Sequence, residues 1–288
     1  MHNYKRVLLT AITLVVSCAA IAQEVKIFPD GFITDKALYS EYRAEIKPNM
    51  GGEGNIRWTG VGEPTITFYR AKSNSRRAKT VVVCPGGGYN IISLNTEGTE
   101  ICEYLTHYGF NAVLLKYRVP RRPGREIHEA PLEDVQRAIS YLRAKAEELE
   151  IDGDAIGVIG FSAGGHLAVM CSTSDRSYQP LDEVDNYSCR PAFSILLYPA
   201  YLKGEGFSLA PNVKVSSDTP PTFISQSQND KNCVDGAIFY YYALKEAGVP
   251  ATMHIYPDGG HGYGLRKTGA SSDGWERRLV EWLETLEI

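Results

Sequence analysis

The chain has 288 residues, of which 43% are hydrophobic and 22% charged, and its formal net charge is −4 at pH 7. This length suits one large α/β domain with a sizeable core. The mildly acidic balance argues against nucleic acid or an anionic lipid surface as the partner.

The first residues, 1–22, have the order of a secretory signal peptide. Basic residues precede an apolar run at 7–17, which is shorter than the roughly 20 residues that a membrane span needs. Two processing sites fit the sequence: cleavage before Gln23, which we favour, and a lipobox that leaves a lipid anchor on Cys18. We therefore expect a secreted or periplasmic protein without a membrane span, whose mature part, 23–288, is a single domain.

After the N-terminal region, short apolar runs alternate with longer helical patterns. A Gly- and Asn-rich stretch at 48–63 is expected to be a surface loop. The apolar runs predict strands at 65–71, 80–84, 111–117, 155–160, 193–199, 221–228 and 251–257. Helical spacing predicts helices at 97–108, 131–149, directly after residue 162, at 235–248 and at 272–286. This alternation predicts an α/β fold with a mostly parallel sheet and helices on both faces, in which ligands bind beyond the carboxyl ends of the strands.

The cysteines give little sign of a cofactor or of a disulfide framework. Five follow the predicted signal peptide: Cys84, Cys102, Cys171, Cys189 and Cys233. Their spacing matches neither a zinc site nor a CxxC redox motif. We expect most of them to be buried, while a bridge through Cys189 or Cys233 stays open.

A serine lies between glycines where a predicted strand ends and a helix begins, in the stretch "GFSAGGH". Gly160-x-Ser162-x-Gly164 is the nucleophile-elbow pattern, in which a tight turn exposes the serine at a helix N-terminus. The two glycines relieve crowding in that turn. Ser162 is therefore the candidate nucleophile, and a glycine-rich turn with a capping serine is the alternative.

The elbow pattern requires an acid and then a histidine later in the chain. His261 follows the last predicted strand in "DGGHGYG", at a strand end. His166 lies one turn along the serine's own helix, where we expect it to pack against the sheet. His254 lies inside a strand and is expected to be structural.

The acid must also follow a strand, and Asp230 lies where the run at 221–228 ends. Its predicted role is to orient His261 and to stabilise the imidazolium. Asp235, which begins the next helix, and Asp258, close in sequence to His261, are the alternatives.

Three glycines follow the buried strand at 80–84 in "VVVCPGGGYN". Such a loop can bring backbone N–H groups to the oxyanion of a tetrahedral intermediate. Because proline at 85 has no N–H, we expect Gly87 or Gly88 to donate, together with Ala163. The run does not match the GxGxxG dinucleotide pattern. Tyr89 is expected to line the substrate pocket.

With these motifs in place, the chain resembles secreted bacterial acetyl xylan esterases and related carbohydrate acetylesterases of the α/β-hydrolase fold. The resemblance runs from about residue 55 to the C-terminus. It rests on the order and spacing of several stretches, among them "VVVCPGGGYNIISLNTEGTEICEYL", "LKYRVPRR", "APLEDVQRAISYLR", "IGVIGFSAGGHLA" and "PPTFISQSQNDKNCVDG". It implies Ser162 as nucleophile, His261 as base, Asp230 as acid, and Gly87 with Ala163 as oxyanion donors. One departure is the loop at 229–233, where relatives often show an acidic pair followed by "PVV".

The resemblance implies a serine esterase that removes acetyl groups from a small ester or from a polysaccharide such as acetylated xylan. No metal or organic cofactor is expected. A serine peptidase of the prolyl-oligopeptidase type and a non-catalytic glycan-binding relative are the alternatives. The glycan, the acetyl position and the oligomeric state stay open.

Overall fold

The computed structural model of the protein describes residues 24–39, 42–49, 52–72 and 78–288. The strands are β1 (Glu24–Lys26), β2 (Tyr42–Asn49), β3 (Gly52–Thr59), β4 (Thr65–Tyr69), β5 (Thr80–Cys84), β6 (Ile92–Ser93), β7 (Asn111–Lys116), β8 (Ile156–Phe161), β9 (Ser194–Leu197), β10 (Thr222–Ser227) and β11 (Ala251–Tyr256). The helices are α1 (Glu100–His107), α2 (Glu129–Ala144), α3 (Ala163–Thr173), α4 (Val234–Glu246) and α5 (Trp275–Thr285). The predicted signal peptide and the candidate anchor Cys18 lie outside the described residues.

Eight strands form the central sheet, in the order β1-β4-β7-β5-β8-β9-β10-β11. The strands β7, β5, β8, β9, β10 and β11 are parallel to one another. At one edge of the sheet, β4 pairs antiparallel with β7, and β1 pairs antiparallel with β4. The prediction of a mostly parallel sheet is therefore confirmed. Because β8, β9, β10 and β11 are neighbours, the segments that follow them meet at one edge of the sheet.

Helices cover both faces of this sheet. In the buried strand β5, Val82 and Cys84 belong to the core beneath α2, α3 and α4, whereas Val81 and Val83 belong to the core beneath α1 and α5. Successive residues of a strand point to opposite faces, so a strand buried on both sides consists of apolar residues throughout. This explains why "TVVVC" is a continuous apolar run.

The stretch at 48–63, predicted to be a surface loop, contains strand β3 instead. β2 and β3 form a hairpin, and β3 pairs with β6 to complete a second, three-stranded sheet. The pairing of β3 with β6, in which Arg57 lies opposite Ser93, joins residues distant in sequence, so local composition does not reveal it. Ser93 N–H also donates to the carbonyl of Gly86 at 3.0 Å, which places this small sheet beside the glycine loop.

The helix predicted at 131–149 begins earlier and ends earlier, at Glu129–Ala144. The start of the helix predicted at 97–108 is a π-helical turn, Asn95–Thr99, which continues into α1. Such turns are rare in proteins, and those that occur are often found at functional sites.

All five cysteines of the described residues are buried and unpaired with one another. The bridge that the sequence left open is therefore not formed among them. None of the helices in the described ranges combines the length and apolar character that crossing a membrane requires.

A buried ion-pair network ties the segment after β7 to α2. The Arg118 guanidinium donates to Asp134 at 2.8 Å and to Glu133 at 2.6 Å, and the backbone N–H of Arg118 donates to Asp134 at 2.7 Å. The side chains of Arg118 and Asp134 are 4% and 0% exposed. The Tyr117 hydroxyl, one residue before Arg118, donates to the Pro85 carbonyl at 2.6 Å, so the segment after β7 also contacts the start of the glycine loop.

Replacing Asp134 with alanine leaves the Arg118 charge buried with only Glu133 beside it. We expect the Asp134→Ala variant to lose about 3 kcal/mol of unfolding free energy, measured by urea denaturation. Asp175→Ala is the control, because the fully exposed Asp175 side chain lies 3.5 Å from Arg190 and contributes little. Equal unfolding free energies for the two variants would contradict a stabilising role of the buried Arg118–Asp134 ion pair.

Candidate active site

Ser162 lies at the turn between β8 and α3, with φ 53° and ψ −116°, a backbone conformation that residues with a side chain rarely adopt. The turn leaves no space for side chains at its glycines. A Cβ at Gly160 would lie 2.0 Å from the Gly164 carbonyl oxygen, and a Cβ at Gly164 would lie 2.0 Å from the Cys84 carbonyl oxygen. Both positions therefore require glycine, and the turn presents Ser162 at the N-terminus of α3.

The His261 imidazole contacts both other side chains that the sequence singled out. Its Nε2 lies 2.7 Å from the Ser162 hydroxyl oxygen, and its Nδ1 lies 2.7 Å from Oδ2 of Asp230. The His261 side chain is 40% exposed, whereas that of Asp230 is 4% exposed. A serine, an imidazole and a buried carboxylate in this order can activate the serine at neutral pH.

The loops that carry these groups hold each other in place. Gly260 directly precedes His261, and Asn229 directly precedes Asp230. The backbone N–H of Gly260 donates to the side-chain oxygen of Asn229 at 2.8 Å. The Ser227 hydroxyl, at the end of β10, donates to the Asp258 carbonyl at 3.2 Å. The chain segments after β10 and β11 are thus joined at two points.

The alternative acids and the alternative histidine are engaged elsewhere. The Asp258 carboxylate accepts a hydrogen bond from the backbone N–H of Ser271 at 2.6 Å. Asp235 forms an ion pair with Lys203 at 2.6 Å. His254 lies part-buried inside β11, as expected for a structural residue.

The His261 pKa results from opposing effects. Burial disfavours the charged imidazole, but the hydrogen bond to Asp230 and the nearby Cys233 thiol outweigh it and raise the pKa above its ordinary value. The ligand atoms of Asp230, Cys233 and His261 all lie within 4.8 Å of one another. Because only the neutral imidazole can accept a proton, Ser162 becomes more reactive as the pH rises through this raised pKa.

The same three residues include ligand types that Zn²⁺ binds, namely a thiol, an imidazole and a carboxylate. Both imidazole nitrogens, however, already have hydrogen-bond partners, in Asp230 and Ser162. This geometry fits proton transfer, and the expectation that no metal is needed stays a prediction.

Three backbone N–H groups that the sequence analysis singled out lie near Ser162. Gly87 and Gly88 line the same cavity as Ser162, and Ala163 is the first residue of α3. Within the described ranges, none of these three N–H groups donates a hydrogen bond to the protein. Free N–H groups in this position can stabilise a developing oxyanion.

The prediction that Tyr89 lines the pocket is wrong, because its side chain is fully buried. Its hydroxyl hydrogen bonds to Nδ1 of His166 at 2.8 Å, and its ring stacks on Tyr201. His166 contacts these rings and His128 in addition to lying on the serine's helix. Burial lowers the His166 pKa to about 3, so this imidazole is neutral and structural.

Glu97, which the sequence analysis did not single out, connects the glycine loop to the histidine loop. One carboxylate oxygen accepts from the Gly86 N–H at 2.8 Å, and the other accepts from the Tyr198 hydroxyl at 2.9 Å. The Gly264 N–H donates to the same hydroxyl at 3.2 Å, and the Tyr198 ring centroid lies 5.0 Å from that of His261. Glu97 thus helps to position the donors and the base together.

Glu97 is 6% exposed. Burial raises its pKa, although the hydrogen bonds from Tyr198 and Gly86 lower it in part. The only sequence signal for this residue is one acidic side chain in the otherwise uncharged stretch "NIISLNTEGT".

A cavity of about 290 Å³ opens beside the Ser162 hydroxyl. It lies between the glycine loop, the histidine loop and the small sheet, and is lined by Asn55, Arg57, Gly87, Gly88, Ile91, Ser93, Thr96, Glu97, Ser162, His261 and Gly262. Its lining is mainly polar, which suits a hydroxylated ligand better than a long acyl chain.

Two family profiles match consecutive parts of the chain. The profile described as BD-FAE matches residues 66–196, which include Ser162. The profile of the prolyl oligopeptidase family matches residues 198–286, which include Asp230 and His261.

Among curated proteins, the chain is 29% identical over 250 residues to an acetylxylan esterase of Xylanibacter ruminicola, covering 78% of this chain and 49% of the relative. It is 30% identical over 222 residues to an endo-1,4-beta-xylanase B of Butyrivibrio fibrisolvens, covering 69% of this chain and 34% of the relative. The chain thus spans about half or less of these relatives. The crystal structure of an acetyl ester-xyloside bifunctional hydrolase from Caldicellulosiruptor lactoaceticus superposes with a TM-score of 0.72 and 30% identity, covering 92% of this chain and 96% of that one.

The raised pKa of His261 predicts how Ser162 reacts with a fluorophosphonate, which modifies activated serines. We expect the rate of labelling, followed by intact mass, to rise with pH through an inflection above about 6.5. Asp230→Asn should slow labelling at least about a hundredfold and move the inflection to lower pH, since it replaces the charged carboxylate that raises the pKa of His261 with a neutral amide. Ser162→Ala is the control for labelling elsewhere, and an inflection unmoved by Asp230→Asn would contradict this account.

The contacts of Glu97 predict a role in positioning. Glu97→Ala leaves the Gly86 N–H without its acceptor, so we expect fluorophosphonate labelling at high pH to slow by about 10- to 100-fold. Glu97→Gln keeps one acceptor oxygen and should slow it less. Labelling of Glu97→Ala at the wild-type rate, with the fold intact by circular dichroism, would refute the role.

Proposed function

This chain belongs to the α/β-hydrolases and is related to acetylxylan esterases, and on that basis we propose that it is a serine esterase that removes acetyl groups from a polysaccharide such as acetylated xylan. The observation that carries the proposal is the pair of 2.7 Å contacts from His261 to Ser162 and to Asp230, beside free backbone N–H groups.

In the proposed reaction, the Ser162 oxygen attacks the ester carbonyl while Nε2 of His261 accepts the hydroxyl proton. The tetrahedral oxyanion accepts hydrogen bonds from Ala163 N–H and from Gly87 or Gly88 N–H. The intermediate collapses, the bond to the alcohol oxygen breaks, and His261 returns its proton to the leaving alcohol. Water, deprotonated by His261, then releases acetate from the acyl-serine.

The size and polarity of the cavity favour a short acyl group and a sugar as the alcohol. At about 290 Å³ it is at the lower end of the range for small-molecule pockets. Asn55, Ser93 and Thr96 line it with polar groups, and Ile91 is its one large apolar side chain. The identity of the glycan as xylan is proposed from the activities for which the relatives are named.

Hydrolysis of the xylan backbone is a second candidate, because one relative is called a xylanase and a solved neighbour a bifunctional hydrolase. Most glycosidases use two carboxyl groups on either side of the sugar. Among the residues that line the cavity, Glu97 supplies the one carboxyl group. This favours the ester bond as the site of hydrolysis.

Peptide hydrolysis is a third candidate, since the prolyl oligopeptidase profile matches residues 198–286. The match covers the segment that carries the acid and the base, which esterases and peptidases of this fold share. A non-catalytic glycan-binding role is the fourth, and it predicts that Ser162 is dispensable.

We place the activity outside the cytoplasm. The proposal rests on the order of basic, apolar and small residues at 1–22, with Gln23 as the first mature residue or Cys18 as a lipid anchor. Mass spectrometry of the N-terminus of the protein from its native host distinguishes the two forms.

The proposed function predicts a preference for short acyl groups. We expect kcat/KM for 4-nitrophenyl acetate to exceed that for the octanoate at least about tenfold, because the small and mainly polar cavity favours a short acyl group over a long one. Ser162→Ala should abolish acetate release from both 4-nitrophenyl acetate and acetylated xylan. Activity on long-chain esters alone, cleavage of a prolyl nitroanilide without esterase activity, or unchanged turnover by Ser162→Ala would each contradict the proposal.

A further inference from the structure

Most polar side chains that line the cavity already have partners within the protein. Asn55, Ser93 and Thr96 hydrogen bond to one another at 2.8–3.3 Å. Glu97 accepts two hydrogen bonds, from a backbone N–H and a tyrosine. The reactive serine and histidine bond to each other. The exception is Arg57.

The Arg57 guanidinium forms no hydrogen bond and no ion pair with the described residues, and its buried Nε has no acceptor. Arg57 lies in β3 two residues after Asn55, so both side chains project from the same face of the strand toward the cavity. A buried N–H group without an acceptor is unfavourable. An acceptor that arrives with a ligand removes this cost.

The nearby carboxyl group of Glu97 does not take that place. Arg57 and Glu97 interact only at a distance. The Arg57 charge lowers the Glu97 pKa, but this effect is smaller than that of burial, which raises the pKa. The two Glu97 oxygens are directed to Gly86 and Tyr198. Arg57 therefore keeps its capacity to bind an external anion.

A second guanidinium contacts the glycine loop from outside the cavity. Arg121 donates to the Gly88 carbonyl from two nitrogens, at 3.1 and 2.9 Å, and to the Tyr201 hydroxyl at 3.1 Å. Because Gly88 lines the cavity, Arg121 adds positive charge on the outer side of the glycine loop.

We propose that Arg57, aided by the charge of Arg121, binds a carboxylate carried by the substrate. The inference rests on the proposed esterase function and narrows its substrate class. An acetyl group carries no charge, so the carboxylate belongs to the alcohol part of the ester. The substrate is then an acetylated acidic oligosaccharide, with a uronic acid side group close to the acetylated hydroxyl, and the planar guanidinium can bind that carboxylate through two hydrogen bonds.

The test compares acetylated xylo-oligosaccharides with and without a glucuronic acid side group. The wild-type protein should have the higher kcat/KM on the acidic substrate, and added salt should reduce this preference. In Arg57→Gln the ratio of acidic to neutral kcat/KM should fall about tenfold, whatever its effect on the neutral substrate. Arg57→Lys should retain part of the preference.

Arg278→Gln is the matched control, since it removes the same charge from the exposed face of α5 and should leave the ratio unchanged. Calorimetry with Ser162→Ala and deacetylated oligosaccharides measures binding without turnover. In that background the acidic oligosaccharide should bind more tightly than the neutral one, and adding Arg57→Gln should abolish the difference. This result supports the inference even if no ester is hydrolysed.

Equal binding of the acidic and neutral oligosaccharides by Ser162→Ala, or a preference that survives in Arg57→Gln, overturns the inference. The proposed function is judged separately, by the loss of 4-nitrophenyl acetate turnover in Ser162→Ala.

Discussion

The two hydrogen bonds of the His261 imidazole depend on the arrangement of three parallel strands. Ser162 follows β8, Asp230 follows β10 and His261 follows β11, and all three strands end at one edge of the sheet. Neither the serine nor the histidine is reactive alone at neutral pH, so function requires this alignment to be held closely. The strained turn at Ser162 and its two obligatory glycines are costs of that arrangement that the packed sheet offsets.

A second layer of contacts fixes the loops that the strands leave free. Glu97 accepts a hydrogen bond from Gly86 of the glycine loop and another from the Tyr198 hydroxyl. That hydroxyl in turn accepts from the N–H of Gly264, which follows His261 in the histidine loop. Because these groups are buried, each needs its partner, and loss of one leaves the others unsatisfied. The oxyanion donors and the base are therefore coupled through one buried carboxyl group, and any displacement of it acts on both.

The sequence predicted those parts of the protein that follow from local pattern. The apolar runs and helical spacing predicted the mostly parallel sheet, and the glycine spacing around Ser162 predicted the turn that the structure contains. The positions of Asp230 and His261 at strand ends predicted that they would meet, and the structure brings them together, although their catalytic roles stay proposals.

What the sequence did not predict depends on contacts between distant residues. β3 pairs with β2 and with residues 92 and 93, and its Gly-rich composition, which suggested a loop, reveals neither contact. The burial of Tyr89 depends on His166 and Tyr201, which lie far along the chain. For the same reason the sequence did not single out Glu97 or Arg57, since the buried contacts of Glu97 and the unpaired Nε of Arg57 arise from the folding of distant segments.

In the proposed reaction, Ser162, His261, Asp230 and the free amides act on one tetrahedral centre. A crystal structure of the protein after reaction with diethyl 4-nitrophenyl phosphate would reveal how these groups surround such a centre. We expect phosphorus on the Ser162 oxygen, with the phosphoryl oxygen about 2.7–3.1 Å from the N–H groups of Ala163 and of Gly87 or Gly88. An adduct on another residue, or a phosphoryl oxygen that faces away from these amides, would contradict it.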